Sequence, residues 1–97
     1  MGTVGCSLNI NSDGIAALTG HASANPTNTE SIRIIVKLQQ KSVSGSWLSI
    51  VSYAEYGESS ASISKKYSLT SHGNYRVVIT AIANGSEKTT LMSYDSY

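Results

Sequence analysis

The stretch 69–93, LTSHGNYRVVITAIANGSEKTTLMS, decides the fold. Tyr75, Val77, Ile79, Ala81 and Ala83 alternate with Arg76, Val78, Thr80 and Ile82. A strand sends successive side chains to opposite faces, so the first set makes one buried row. The second set is mixed, as suits a sheet with one partly wet face. Asn84-Gly85 follows, and both residues tolerate the positive φ of a type I′ hairpin turn. Residues 87–92 then return as the partner strand, with Thr89 and Thr90 supplying β-branched side chains.

Just upstream, Leu69 leads through a polar turn containing Gly73 to Tyr75. In β-sandwiches this arrangement forms a tyrosine corner, with the hydroxyl bonded back to backbone a few residues upstream. The ring fills core and the hydroxyl keeps a partner, which avoids a desolvation penalty. Leu69, Gly73 and Tyr75 are therefore expected to lock the structure. The stretch resembles the end of a fibronectin type III or immunoglobulin-like sandwich.

Working outward, 97 residues make one domain, large enough to bury a core without covalent staples. Seven basic residues stand against six acidic ones. That near balance argues against nucleic acid or an anionic membrane as an electrostatic partner. Ser and Thr number 26, Phe is absent and Pro occurs once. Such Ser/Thr-rich, Tyr-bearing, weakly charged chains are typical of exported β domains. Apolar runs such as Ile34-Ile35-Val36 are far short of a membrane span. No signal-peptide pattern follows Met1, so an exported form is expected to correspond to a mature part. Cys6 is the single cysteine, so no internal disulfide can form.

The remaining strands follow from alternation and turn chemistry. Residues 3–10 place Val4, Cys6, Leu8 and Ile10 on one face, before an Asn11-Ser12-Asp13-Gly14 turn. Residues 15–24 form the second strand, with Ala16, Leu18, Gly20 and Ala22 inward; these small residues predict close approach of a facing sheet. Residues 25–30 are a loop, because Pro26 drives its predecessor out of helix and lacks a donor. Residues 31–40 are the longest clean alternation, with Ile32, Ile34, Val36 and Leu38 inward and Arg33, Ile35, Lys37 and Gln39 outward, which predicts a central strand. A Ser/Gly turn at 41–46 leads to a fourth strand at 47–56. There Trp47, Ile50 and Tyr53 break the period of two, which predicts a bulge or an edge. Residues 60–69 are the fifth strand, where Lys65 in an otherwise apolar row fits an edge-protection device. Seven antiparallel strands with regular turns predict an all-β sandwich. By analogy with the immunoglobulin-like sandwich that the end of the chain resembles, strands one, two and five are expected in one sheet and strands three, four, six and seven in the other.

A second resemblance rests on Leu38-Gln39-Gln40-Lys41, Gly45-Ser46-Trp47 and Gly73-Asn74-Tyr75-Arg76-Val77. Together these are similar to a group of small secreted proteins of Gram-positive bacteria. The similarity spans about 8–94. It implies export and an immunoglobulin-like or fibronectin type III-like sandwich, and transfers no functional residue.

Chemistry-bearing constellations are sparse. No Gly-x-Ser-x-Gly elbow occurs, and no catalytic residue, cofactor or metal site is expected. His21 falls in a strand and His72 in a turn, without ligand spacing between them. Thr3-Val4-Gly5-Cys6 has the shape of a lipobox but lacks the preceding apolar stretch, so Cys6 reads as a small buried hydrophobe. Asn84-Gly85-Ser86 matches a glycosylation sequon within a tight hairpin, where it is not expected to be used.

Trp47, Tyr53, Tyr56 and Tyr94, with Tyr97, form the candidate binding surface, since sugars stack on such rings and protein partners use them as anchors. The alternative is that Trp47 and Tyr53 cover the sandwich edge and the terminal tyrosines fray. The expected function is an exported, non-catalytic binding module at or outside the cell surface. Its partner would be a protein or glycan, met on the outer side of strands four, six and seven and on the loops 25–30 and 84–85. The chain itself would be a monomer or a weak homodimer through edge strands. A small secreted non-enzymatic effector and a structural spacer of a surface protein are the alternatives.

Overall fold

The computed structural model describes residues 2–24, 31–85 and 87–97. Seven strands follow in order: β1 (Thr3–Ile10), β2 (Ile15–Ser23), β3 (Ser31–Lys41), β4 (Trp47–Glu58), β5 (Ser60–Ser68), β6 (Asn74–Ala83) and β7 (Glu87–Ser96). All pairings are antiparallel. One sheet runs β1-β2-β5 and the other β4-β3-β6-β7, and the two pack face to face as a β-sandwich. The partition into sheets is the one expected from the sequence. The expected loop 25–30 and Ser86 of the sequon lie outside the described residues.

The core is built from the inward rows of the strands. Ile32, Ile34, Val36 and Leu38 of β3 and Tyr75, Val77, Ile79, Ala81 and Ala83 of β6 are buried. They face Leu8 of β1, Ala16, Leu18 and Ala22 of β2, and Ala61 and Ile63 of β5. Cys6 belongs to the β1 inward row and packs on this core while half-buried. At Gly20 the two sheets approach closely. A Cβ there would lie 2.6 Å from Val36 Cγ2 and 3.0 Å from Ile79 Cδ1 on the opposite sheet.

The irregularity in the fourth strand is a bulge. Leu38 pairs with Val51 and Gln39 with Ser49, so Ile50 is the extra residue. Ile50 and Val51 both pack on the core, which explains the broken period of two. β4 is also an edge of its sheet.

Turn chemistry matches local needs. Asn84 (φ 52°) and Gly85 (φ 74°) both take positive φ. The register pairs Ala83 with Glu87, one residue longer than a two-residue loop. The Asn84 side chain also fixes the start of β3, where its Oδ1 accepts from the Ser31 amide at 3.0 Å.

At the other end of β6, Tyr75 Oη donates to the Ser71 carbonyl at 2.5 Å. The Leu69 amide donates to the Gly14 carbonyl at 2.8 Å, carrying the β2–β5 ladder one bond past Ser68. Gly73 exchanges two backbone hydrogen bonds with Tyr97, at 2.9 and 3.1 Å.

β7 continues four residues beyond the expected end at Met92. Ser93, Asp95 and Ser96 have weak strand propensity, but pairing with β6 overrides it. Fraying of the terminal tyrosine is corrected as well. Besides its backbone bonds to Gly73, the Tyr97 ring stacks on His72 with centroids 4.1 Å apart and packs on the core. Asp95 ties the sheets together, since its Oδ2 accepts from the Ile10 amide of β1 at 2.8 Å.

Candidate functional site

The outer face of the four-stranded sheet is defined by alternation and register. Each outward residue of β3 has a neighbour on β4 and one on β6, and β7 extends the row. Gln39 lies between Ser49 and Arg76, with Tyr94 beyond. Lys37 lies between Ser52 and Val78, with Met92 beyond. Ile35 lies between Ala54 and Thr80, with Thr90 beyond. Arg33 lies between Tyr56 and Ile82, with Lys88 beyond. Lys41 pairs with Trp47 at the end next to the β3–β4 hairpin.

At that hairpin end, two edge strands meet through their side chains. Trp47 projects from β4 and Tyr94 from β7, yet their rings are edge-to-face with centroids 5.9 Å apart. They reach over β3 and β6 and close on Arg76. The guanidinium carbon sits 4.4 Å from the Trp47 ring centroid, a cation–π contact. Arg76 Nε donates to Gln39 Oε1 at 2.7 Å, and Gln39 Nε2 donates to Ser49 Oγ at 3.1 Å. Met92 Sδ lies 3.6 Å from an Arg76 terminal nitrogen and 3.4 Å from Tyr94 Oη. Within this cluster Tyr94 and Met92 are exposed.

The four aromatic residues read from the sequence as one surface are divided by the fold. Trp47 and Tyr94 meet. Tyr56 is on the same face, but opposite Arg33 rather than Lys41. Those eight β3 residues separate it from Trp47 by about 27 Å. Arg33, Ala54, Glu55 and Tyr56 line a shallow open depression there. Tyr53 is not on this face. It pairs with buried Val36, packs against the core and carries Lys65 Nζ 5.8 Å from its ring centroid. The bulge at Ile50 is the cause: it shifts by one the parity that relates Trp47 to Tyr53. Arg76 and Gln39, which organise the cluster, carry no motif. Their outward direction is legible in the alternation, but their place between Trp47 and Tyr94 follows from strand order and register.

Other reactive groups stand apart from this face. His21 lies over Gly5, its cross-strand partner, where the imidazole fills the space a Cβ would take. His72 is stacked on Tyr97. Burial pushes the Cys6 thiol above its ordinary pKa. Among the described residues no group of three or more His, Cys, Asp or Glu converges as metal ligands do, and no helix is long and apolar enough to cross a membrane.

Comparison with protein-family models finds no match, and a search of curated proteins finds no significant relative.

Proposed function

We propose that this chain is an exported, non-catalytic interaction module of fibronectin type III-like character, working through the outer face of its four-stranded sheet. The observation that carries the reading is the surface cluster in which half-buried Trp47 and exposed Tyr94, from opposite edge strands, enclose half-buried Arg76. Trp, Tyr and Arg are the residues most enriched among binding hot spots. A rigid, pre-packed arrangement of them also lowers the ordering cost of association.

The fold-level analogy supports the same class. In immunoglobulin constant domains the fourth strand joins the sheet of the first, second and fifth. Here β4 pairs with β3 instead, which favours the fibronectin type III-like reading. Sandwiches of this size commonly act as recognition modules, a warrant by analogy. The resemblance to small secreted proteins of Gram-positive bacteria supports export.

A glycan array and a binding assay on intact cell walls test the reading, each with wild type, Trp47→Ala and Tyr94→Ala. Binding that drops at least tenfold in both variants is expected, since hot-spot truncations each cost about 2 kcal/mol or more. Wild-type binding insensitive to both substitutions, or no binding to either preparation, would count against the proposal.

A further inference from the structure

We infer that the outer face of the four-stranded sheet binds an acidic polysaccharide, a partner class that rests on the interaction-module reading above. The near-neutral sequence conceals a segregation of charge. Arg33, Lys37 and Lys41 of β3, Arg76 of β6 and Lys88 of β7 all occupy outward positions of this one sheet. The carboxylates of the described residues lie at one end of this face, on inward rows or in a turn. Glu55, Asp95 and Glu87 pair with buried Ile34, Tyr75 and Ala83, so they belong to the inward rows at the sheet edges. Asp13 is in the β1–β2 turn. Glu58 ends β4 opposite Ser31, on the outward row next to Arg33, and Glu55 lines the depression beside Arg33 and Tyr56, so these two carboxylates border one end of the face. From the row of Ile35 to the row of Lys41, the described residues of this face include three cations, Lys37, Lys41 and Arg76, and no carboxylate, and Arg33 and Lys88 continue the cationic row at one end.

The rest of the face is suited to sugar. Gln39, Ser49, Ser52, Thr80 and Thr90 place amide and hydroxyl groups between the cations. Trp47 and Tyr94 at one end and Tyr56 at the other supply rings for the apolar faces of pyranoses.

Charge spacing separates this partner from nucleic acid. Along β3, Arg33, Lys37 and Lys41 recur every four residues, about 13 Å apart. Duplex DNA carries one charge per roughly 1.7 Å of axis, far denser than this ladder. An acidic peptide adding as a strand would engage a sheet edge, and these cations are on the face.

The test measures binding of the folded chain to immobilised polygalacturonate, neutral dextran and oligo(dT) across a salt series. Two charge-reversed pairs are compared: Arg33→Glu with Lys37→Glu on the face, and Lys65→Glu with Lys66→Glu on β5 of the other sheet. Both change net charge equally, all four positions are exposed, and melting curves verify that the variants fold. Salt-sensitive retention on polygalacturonate but not dextran is expected. Each reversal on the face should weaken it roughly fivefold, with the β5 pair close to wild type. Equal loss from both pairs, binding to oligo(dT) at least as tight, or no retention on polygalacturonate overturns the inference. A neutral glycan bound by wild type and lost in Trp47→Ala would also overturn it, while leaving the interaction-module reading intact.

Discussion

Tyr75 Oη donates to the carbonyl of Ser71, four residues upstream, while its ring is buried in the sandwich core. The Ser71 hydroxyl lies 3.3 Å from the same oxygen and accepts from Gln40 Nε2 at 3.0 Å, and Gln40 is the β3 partner of Tyr75. One side chain therefore fixes the β5–β6 connection to a central strand. Tyr75→Phe keeps the ring and removes the bond, and is expected to cost about 1 kcal/mol. Tyr75→Ala also empties core volume and should cost roughly 3–5 kcal/mol. Urea denaturation midpoints check both; a midpoint unchanged by Tyr75→Ala would refute the structural role.

Gly20 makes the second prediction. A Cβ at this position meets Val36 and Ile79 on the opposite sheet closer than ordinary packing allows. In an open strand Gly→Ala is stabilising, because it reduces the entropy of the unfolded chain. Here overpacking reverses the sign, and Gly20→Ala should destabilise by roughly 1–3 kcal/mol. A parallel Val36→Ala change should recover part of that loss by making room. If Gly20→Ala raises the melting temperature, the two sheets are not in contact at this point.

These two positions show how far the sequence could be read. Alternation at 31–40 and 75–83 is complete, so the buried rows and the central strands were legible, and the sheet partition followed from analogy with the immunoglobulin-like sandwich. Small residues at Ala16, Gly20 and Ala22 announced close approach, because only a facing sheet gives them a reason to be small. The Trp47–Arg76–Tyr94 cluster was not legible as a unit. It depends on the order β4-β3-β6-β7 and on a bulge at Ile50 that separates Tyr53 from Trp47. Composition was misleading in one respect: a net charge of +1 reads as featureless until register collects five cations on one face. Tyr97 looked like a free end because nothing local holds it; Gly73 and His72 do so from a distance.

The cysteine gives a prediction in pH. Cys6 lies in the inward row of β1, and burial raises its thiol pKa. The thiolate is the reactive form, so alkylation of the folded chain should be slow at neutral pH. Its rate should keep rising with pH after that of the denaturant-unfolded chain has levelled. The sign for stability follows by linkage. The folded state holds the thiol proton more tightly, so this contribution is complete below the unfolded pKa and is lost as pH rises through the raised folded value. Cys6→Ala should therefore show a shallower alkaline decline than wild type. Identical alkylation profiles for folded and unfolded chains would show that Cys6 is not shielded.

Trp47 is the single tryptophan of the chain, so its fluorescence reports directly on the proposed binding face. Arg76 covers one face of the indole and Tyr94 meets it edge-to-face. Arg76→Ala removes the cation–π contact and the bond to Gln39. Since both lie on an outer, partly exposed surface, the cost to global stability should be only about 0.5–1 kcal/mol. The local effect should be larger: indole emission shifts to the red, and acrylamide quenching increases as water reaches the uncovered face. Tyr94→Ala should act in the same direction and more weakly, because edge contact shields less of the ring than stacking. If neither substitution alters emission or quenching, Trp47 does not rest on Arg76 in solution, and the face lacks the pre-packed cluster on which the proposed recognition depends.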